Sequence, residues 1–374
     1  MRVAIIHDWL ITYAGAERVL EQLLNCFPEA DLFAVVEFLE KKDRHFIKNK
    51  EVTTSFIQNL PFSKKRYRSY LPFMPLAVEQ FDMSEYDLVI SSSHAVAKGI
   101  ITNPNQIHIC MCYTPIRYAW DLQHQYLEES KMKNGLKGFI AKFILHYVRN
   151  WDQINSSRVD HFISISKFIS RRIDKFYNRE SEVIYPPVDI DKFQLNLEER
   201  EDYYVTCSRM VPYKKIDLIV ETFSSEFQEK KLIVIGDGPD RKKIEEIAGS
   251  NIEFLGEASE QVLYDKISKS RAFIFAAYED FGIAPIEAQS CGTPVIAYGN
   301  GGALETIMGM DSEKPSGVFF KDQSKESLAK AVNIFEKNIH IFKPESCREN
   351  AERFSIKRFN EELKNFVKRK IDNV

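Results

Sequence analysis

Short apolar runs rich in Val and Ile recur along this chain, each too short for a helix and each followed by an amphipathic stretch. Strands are predicted at 3–7, 87–91, 107–112, 161–165, 182–184, 203–207, 231–235, 252–255, 272–276, 294–297 and 317–320. Several are apolar almost throughout, the mark of strands buried on both faces of a parallel sheet. Helical periodicity lies between them, as at 17–26, 215–224, 240–248, 260–269 and 325–337. The alternation predicts an α/β chain of doubly wound, Rossmann-like parallel sheets with helices on both faces.

With 374 residues the chain exceeds one ordinary core. The pattern breaks at Ile184-Tyr185-Pro186-Pro187-Val188-Asp189, where two prolines hold the backbone extended. A charged stretch from Glu198 to Asp202 follows before Tyr203 opens a new strand. Residues 1–185 are therefore expected to form one domain and 200–350 a second. Residues 356–371 read as a basic amphipathic helix, and the stretch 356–374 is expected to pack back on the first domain.

Lys plus Arg (51) nearly balances Asp plus Glu (54), so no global polycation is aimed at nucleic acid. The cysteines at 26, 110, 112, 207, 291 and 347 contain no Cys-x-x-Cys pair, and Cys110 and Cys112 are too close for a zinc knuckle. They suit reduced thiols in the cytosol. The first eight residues read as a strand and not a signal peptide. The longest apolar runs fall far short of the roughly 20 residues of a membrane span. A cytoplasmic protein is expected.

Three segments of the second domain could carry chemistry. In Tyr278-Glu279-Asp280-Phe281-Gly282-Ile283-Ala284-Pro285-Ile286-Glu287, a buried strand gives way to an acidic pair, a glycine turn and a helix. Free amides at such a turn hold an anion at the edge where open α/β sheets bind ligands. Gly282 permits close approach of a phosphate. Glu279 and Glu287 would then hold hydroxyls, a ribose on one side and a sugar on the other. Alternatively, Glu279 and Asp280 cap the helix and Glu287 is solvated. Arg209 and Lys214 follow the strand 203–207 and suit a diphosphate, or are ordinary surface cations. Gly236-Asp237-Gly238-Pro239 reads as a tight strand-to-helix turn.

In combination, Ser208–Lys214, Gly236–Pro239, Phe254-Leu255-Gly256, Glu279 with Glu287, and Cys291-Gly292-Thr293-Pro294-Val295-Ile296-Ala297 resemble the retaining GT-B glycosyltransferases of family 4. In the first domain His7-Asp8-Trp9-Leu10, Gly15-Ala16-Glu17-Arg18, Ser91-Ser92-Ser93-His94 and Tyr113–Asp121 look like mannosyltransferases of bacterial O-antigen and polysaccharide assembly. The resemblance implies a GT-B fold, two Rossmann-like domains facing across a cleft, the first taking the acceptor and the second the donor. It implies GDP-mannose or a UDP-sugar as donor substrate and no cofactor.

It also implies roles. Arg209 and Lys214 would bind the diphosphate, Glu287 the ribose, and Glu279 the transferred sugar. The amides of Phe281, Gly282 and Ile283 would touch phosphate or sugar, and Gly236 would line the same site. Leu255, Gly256 and Glu257 would lie near the base. Gly15 and Ala16 would face the diphosphate. Many relatives carry a histidine beside the reacting sugar where this chain has Tyr113, which leaves His94 as an alternative histidine, or as a structural one. Retention fits front-face attack in which the departing diphosphate takes the acceptor proton. Asp189-Ile190-Asp191 matches a metal motif only superficially, and no metal is expected.

Lys64–Met74 and Lys131–Ile144 mix basic with bulky apolar residues, which suits an anionic membrane interface and a polyprenyl-diphosphate-linked saccharide acceptor, or else a solvated loop and a packing helix. A GT-B epimerase or phosphorylase and a non-catalytic nucleotide-sugar-binding protein are the rival readings. A nicotinamide-dependent dehydrogenase would need Gly-x-Gly-x-x-Gly after the first strand, and residues 8–18 lack it.

Overall fold

The apolar runs pair as two all-parallel sheets in a computed structural model that describes residues 1–372. In the first sheet β1 (Val3–His7), β2 (Asp31–Ala34), β3 (Val52–Thr54), β4 (Leu88–Ser93), β5 (Ile107–Cys112), β6 (His161–Ser164) and β7 (Ser181–Val183) lie in the order β3-β2-β1-β4-β5-β6-β7. The second holds β8 (Tyr203–Cys207), β9 (Lys231–Ile235), β10 (Ile252–Gly256), β11 (Ala272–Phe275), β12 (Val295–Tyr298) and β13 (Gly317–Phe320), in the order β10-β9-β8-β11-β12-β13.

The chain divides into two compact units. One is Met1–Pro186 with the chain from Phe359 onward, the other Pro187–Arg358. The helix Ile356–Ile371 buries Phe359, Leu363, Phe366 and Val367, the spacing of one helical face. Arg369 reaches Glu182 at 2.6 Å, and Asn360 meets Gln22 at 3.3 Å.

Successive strand residues point to opposite faces. Tyr204 of β8 therefore joins Phe223, Ile274 and Phe335 on one face of the second sheet, while Val205 joins Phe273, Phe275 and Val295 on the other. Ile5 and Ile6 of β1 are likewise wholly buried, and Ile5 lies between Leu32 and Ile90. Ser259 and Ser324 start the helices Glu260–Lys269 and Lys325–Lys337, each side chain accepting a helical N–H.

β2 and β3 are not among the predicted strands. The β4 strand runs on to Ser93 because Ser91, Ser92 and Ser93 are all buried. The helix predicted at 240–248 shortens to Arg241–Glu245. Strand order reverses between β1 and β4, and again between β8 and β11. Open α/β sheets form ligand crevices beyond the carboxyl ends of such strands.

Candidate active site

The loops leaving β8, β9 and β10 are sewn together by backbone hydrogen bonds. Ser208 donates to Ile235, Met210 to Asp237 at 2.8 Å, and Gly236 to Gly256 at 2.7 Å. Gly236 has φ +121°, and a Cβ there would stand 2.1 Å from the Ser208 carbonyl oxygen. No other residue allows the two loops to approach so closely. Between them opens a hollow of about 770 Å³, lined among others by Cys207, Arg209, Gly236, Asp237, Glu257 and Leu263. That volume lies within the usual range for small-molecule sites. Arg209 is exposed at its rim, and among the described residues no carboxylate pairs with it.

Lys214 ends the short turn Pro212–Lys214 and forms an ion pair with Glu279, both side chains more than four-fifths buried. The sequence-predicted cation and carboxylate therefore meet. Gly282 (φ +88°) stands at the N-cap of the helix Ile283–Ser290. Phe281 is buried, its ring 5.6 Å from that of Phe354 between centroids. Glu287 is buried on the first turns of that helix and sits close enough to Cys207 to help hold its thiol protonated. Burial is the larger cause, and together they push the thiol up to about 12.

In the first unit, the crevice beyond β1 and β4 is organised by Asp8. Its wholly buried carboxylate accepts the backbone N–H groups of His94, Ala95, Val96 and Ala97 at 2.6–3.0 Å. His94 Nδ1 lies 3.0 Å from the same carboxylate. Burial opposes the charge on each partner, but their attraction prevails: Asp8 is held well below the usual carboxylate range and His94 is raised. The His94 ring stands edge-on to Trp9, 4.6 Å between centroids, and keeps part of its surface exposed.

Tyr113 does different work. Its hydroxyl donates to the Ala16 carbonyl at 3.1 Å and bonds Ser92 Oγ at 2.7 Å, while His7 Nδ1 meets Ser92 Oγ at 2.8 Å. With Tyr113 donating to Ala16, the chain runs one way: His7 to Ser92 to Tyr113 to Ala16. Glu17 closes the loop by accepting the Ala14 N–H at 3.0 Å. The tyrosine thus fixes the Gly15–Ala16 turn at the head of the helix Gly15–Cys26. Asp8, Ser92 and His7 are the residues that sequence reasoning missed as parts of this crevice. A polar residue ending an apolar strand was the available signal.

A family model described as glycosyl transferases group 1 matches residues 187–354, and one described as glycosyltransferase family 4 matches residues 13–192. The chain belongs to the group 1/family 4 glycosyltransferases. Among curated relatives, the alpha-1,3/1,6-mannosyltransferase ALG2 of Saccharomyces cerevisiae is 27% identical over 306 residues, 77% of this chain and 51% of the relative. The O-antigen chain mannosyltransferase RfbU of Salmonella typhimurium is 28% identical over 160 residues, 40% of this chain and 45% of the relative. The chain spans about half the length of the curated relatives it matches. The fold is that of solved GT-B enzymes. Sucrose-phosphate synthase from Thermosynechococcus elongatus superposes with a TM-score of 0.74 at 14% identity, covering 100% of both chains. Anabaena HepE in complex with UDP gives 0.69 at 15%, covering 98% of this chain and 100% of that one.

Asp189 lies 4.0 Å from Lys192, and Asp191 lies 3.7 Å from Arg348. Each carboxylate of the Asp-x-Asp stretch thus faces a cation. Val188 pairs with Ser355 beside them, so the stretch serves to tie the start of the second unit to its end.

Proposed function

We propose that this glycosyltransferase moves mannose from GDP-mannose to a saccharide acceptor with retention of configuration and without a metal. The observation that carries the reading is Arg209, a cation with no acidic partner at the rim of the hollow beyond β8 and β9. Lys214 stands in the same loop. A guanidinium and an ammonium on a loop backed by Gly236 and Gly238 suit the two phosphates of a leaving nucleoside diphosphate.

On this reading the hollow toward Glu257 and Leu263 takes the nucleoside, Glu287 the ribose and Glu279 the sugar. The Lys214–Glu279 pair then opens or is shared when the diphosphate arrives. The leaving diphosphate accepts the acceptor's proton on the face where it departs, so no second carboxylate is required. Catalysis becomes positioning together with stabilisation of the charge that grows on the leaving group. His94, held by Asp8, is the group of the first unit with a polar ring edge left for a sugar hydroxyl. The mannosyl assignment draws support from the names of the relatives, ALG2 and RfbU, and the acceptor is a saccharide or lipid-linked saccharide.

A thermal-shift comparison tests the donor. GDP and GDP-mannose should raise the melting temperature more than UDP and UDP-glucose. A ligand at about one hundred times its Kd stabilises the native state by roughly 2.7 kcal/mol. A larger shift with the uridine compounds would overturn the GDP assignment, and no shift with any nucleotide would overturn the transferase reading itself.

Metal dependence is a separate test. Because two side-chain cations face the diphosphate, EDTA should leave the transfer rate unchanged. A large loss that Mn²⁺ or Mg²⁺ restores would contradict the metal-free mechanism.

A further inference from the structure

The helix Gly135–Ser156 carries two apolar faces, and only one of them is covered. Leu145 and Val148 are buried with Gly138, Asp152 and Asn155. On the other side Leu136 (76% exposed), Phe139 (69%), Ile140 (48%), Phe143 (66%), Tyr147 (44%) and Ile154 (63%) stand in solvent. At about 100° per residue these six fall within one arc of about 100°, opposite the buried stripe, and extend for about 27 Å. A surface helix normally turns charge to water. Here it turns a straight ridge of large hydrophobic side chains.

Along the segment that carries the ridge the charge has one sign, although Lys133 pairs with Glu128 at 3.3 Å just outside it. From Ser130 to Trp151 there is no Asp or Glu, while Lys131, Lys133, Lys137, Lys142 and Arg149 are present. The stretch from Val52 to Val78 is also free of acids and supplies Lys64, Lys65, Arg66 and Arg68. It adds Phe62 (75% exposed), Phe73 (53%) and Leu76 (52%). The two segments adjoin: Leu71 packs on the cluster of Ile116, Leu145 and Val148, and the Trp151 indole donates to Glu79 at 3.0 Å. All this basic charge sits in a chain whose net charge is -3.

We propose that this face docks on an anionic lipid bilayer, with the ridge lying in the interface and the lysines reaching up to headgroup phosphates. A narrow apolar stripe flanked by cations is the form of an interfacial helix, and lysine stems can snorkel alongside it. Among the described residues no helix is long and apolar enough to cross a membrane, so the contact is with one leaflet. A second copy of this chain fits less well, because a two-fold contact would bring the same lysines together. The proposal rests on the transferase reading in one respect only: it gives the lipid-linked acceptor a place to be met.

The test uses the full chain with sedimented vesicles of phosphatidylcholine, alone or mixed with phosphatidylglycerol. The protein should bind the mixed vesicles and be released by salt. Phe139→Ser/Phe143→Ser and Lys137→Glu/Lys142→Glu should each weaken binding by about tenfold or more. These side chains are exposed, so both variants should keep the wild-type melting temperature and nucleotide response. Failure to bind mixed vesicles overturns the proposal, as does wild-type binding by Phe139→Ser/Phe143→Ser. So does a dimer in vesicle-free solution that this variant abolishes, since the ridge would then belong to a second copy. Vesicle binding without any nucleotide response leaves the docking standing and sinks the transferase reading.

Discussion

Arg209→Ala will lower turnover by about 10²–10³-fold, the usual cost of removing one group that stabilises charge in a transition state, and will leave the melting temperature near that of the parent. The reason lies in the difference between the two cations of the loop. Lys214 is already engaged with Glu279 and partly buried, so its charge is balanced before any ligand arrives. Arg209 is exposed at the rim of the hollow with no carboxylate on it. Its whole charge is available to an incoming diphosphate, and removing it strips no partner inside the fold.

The loss should fall on turnover and nucleotide binding together, because a diphosphate exists in both the bound donor and the leaving group. Charge on the leaving group grows as the sugar departs, so the effect on kcat/KM should exceed the effect on affinity. Arg209→Lys should recover only part of the rate, since an ammonium cannot bridge two phosphate oxygens as a planar fork does. Activity of Arg209→Ala within about threefold of the parent would remove the diphosphate assignment, given that each 1.36 kcal/mol is tenfold in rate.

The strands that carry this loop were legible because parallel strands buried on both faces leave uninterrupted apolar runs, as in Leu232–Ile235 and Ala272–Phe275. β3 was not, since it is a half-buried edge of one valine and two threonines. β2 overlaps the apolar run 32–36, and periodicity alone cannot separate such a run from a buried helix. Arg209, Gly236 and Glu257 could be read as a group because each follows its strand directly, and adjacent strands bring such loops to one rim. The ion pair of Lys214 with Glu279 joins residues 65 positions apart and depends on β8 and β11 being neighbours. That pairing is a property of topology and leaves no local pattern. The same limit hid Asp8, whose partners lie 86 to 89 positions away.

Asp8 is where the largest stability effect is expected. Its carboxylate alone satisfies four buried N–H groups at the end of β4 and also faces His94. In Asp8→Asn the amide turns one acceptor into a donor, so two of those N–H groups lose their oxygen and His94 loses its counter-charge. Breaking a buried charged network by removing one partner costs about 3–5 kcal/mol. For a domain of this size each kcal/mol shifts the midpoint by about 2–4 °C, so the first unit should melt roughly 6–20 °C lower.

The pH dependence has a definite sign. Asp8 titrates below its ordinary value in the fold, so its contribution is present above the ordinary carboxylate pKa of about 3.9 and is lost as pH falls below it. His94 titrates above its ordinary value, so its contribution is present below about 6.5 and is lost as pH rises through the raised value. The pair should therefore stabilise the parent most between about pH 5 and 6, and the gap between parent and Asp8→Asn should narrow toward both extremes. His94→Gln should remove the upper limb of that profile while costing less, because the four backbone bonds to Asp8 remain. A parent and an Asp8→Asn variant with the same melting temperature across this range would show that the buried carboxylate is not what holds the β4 loop, and His94 would lose its anchor.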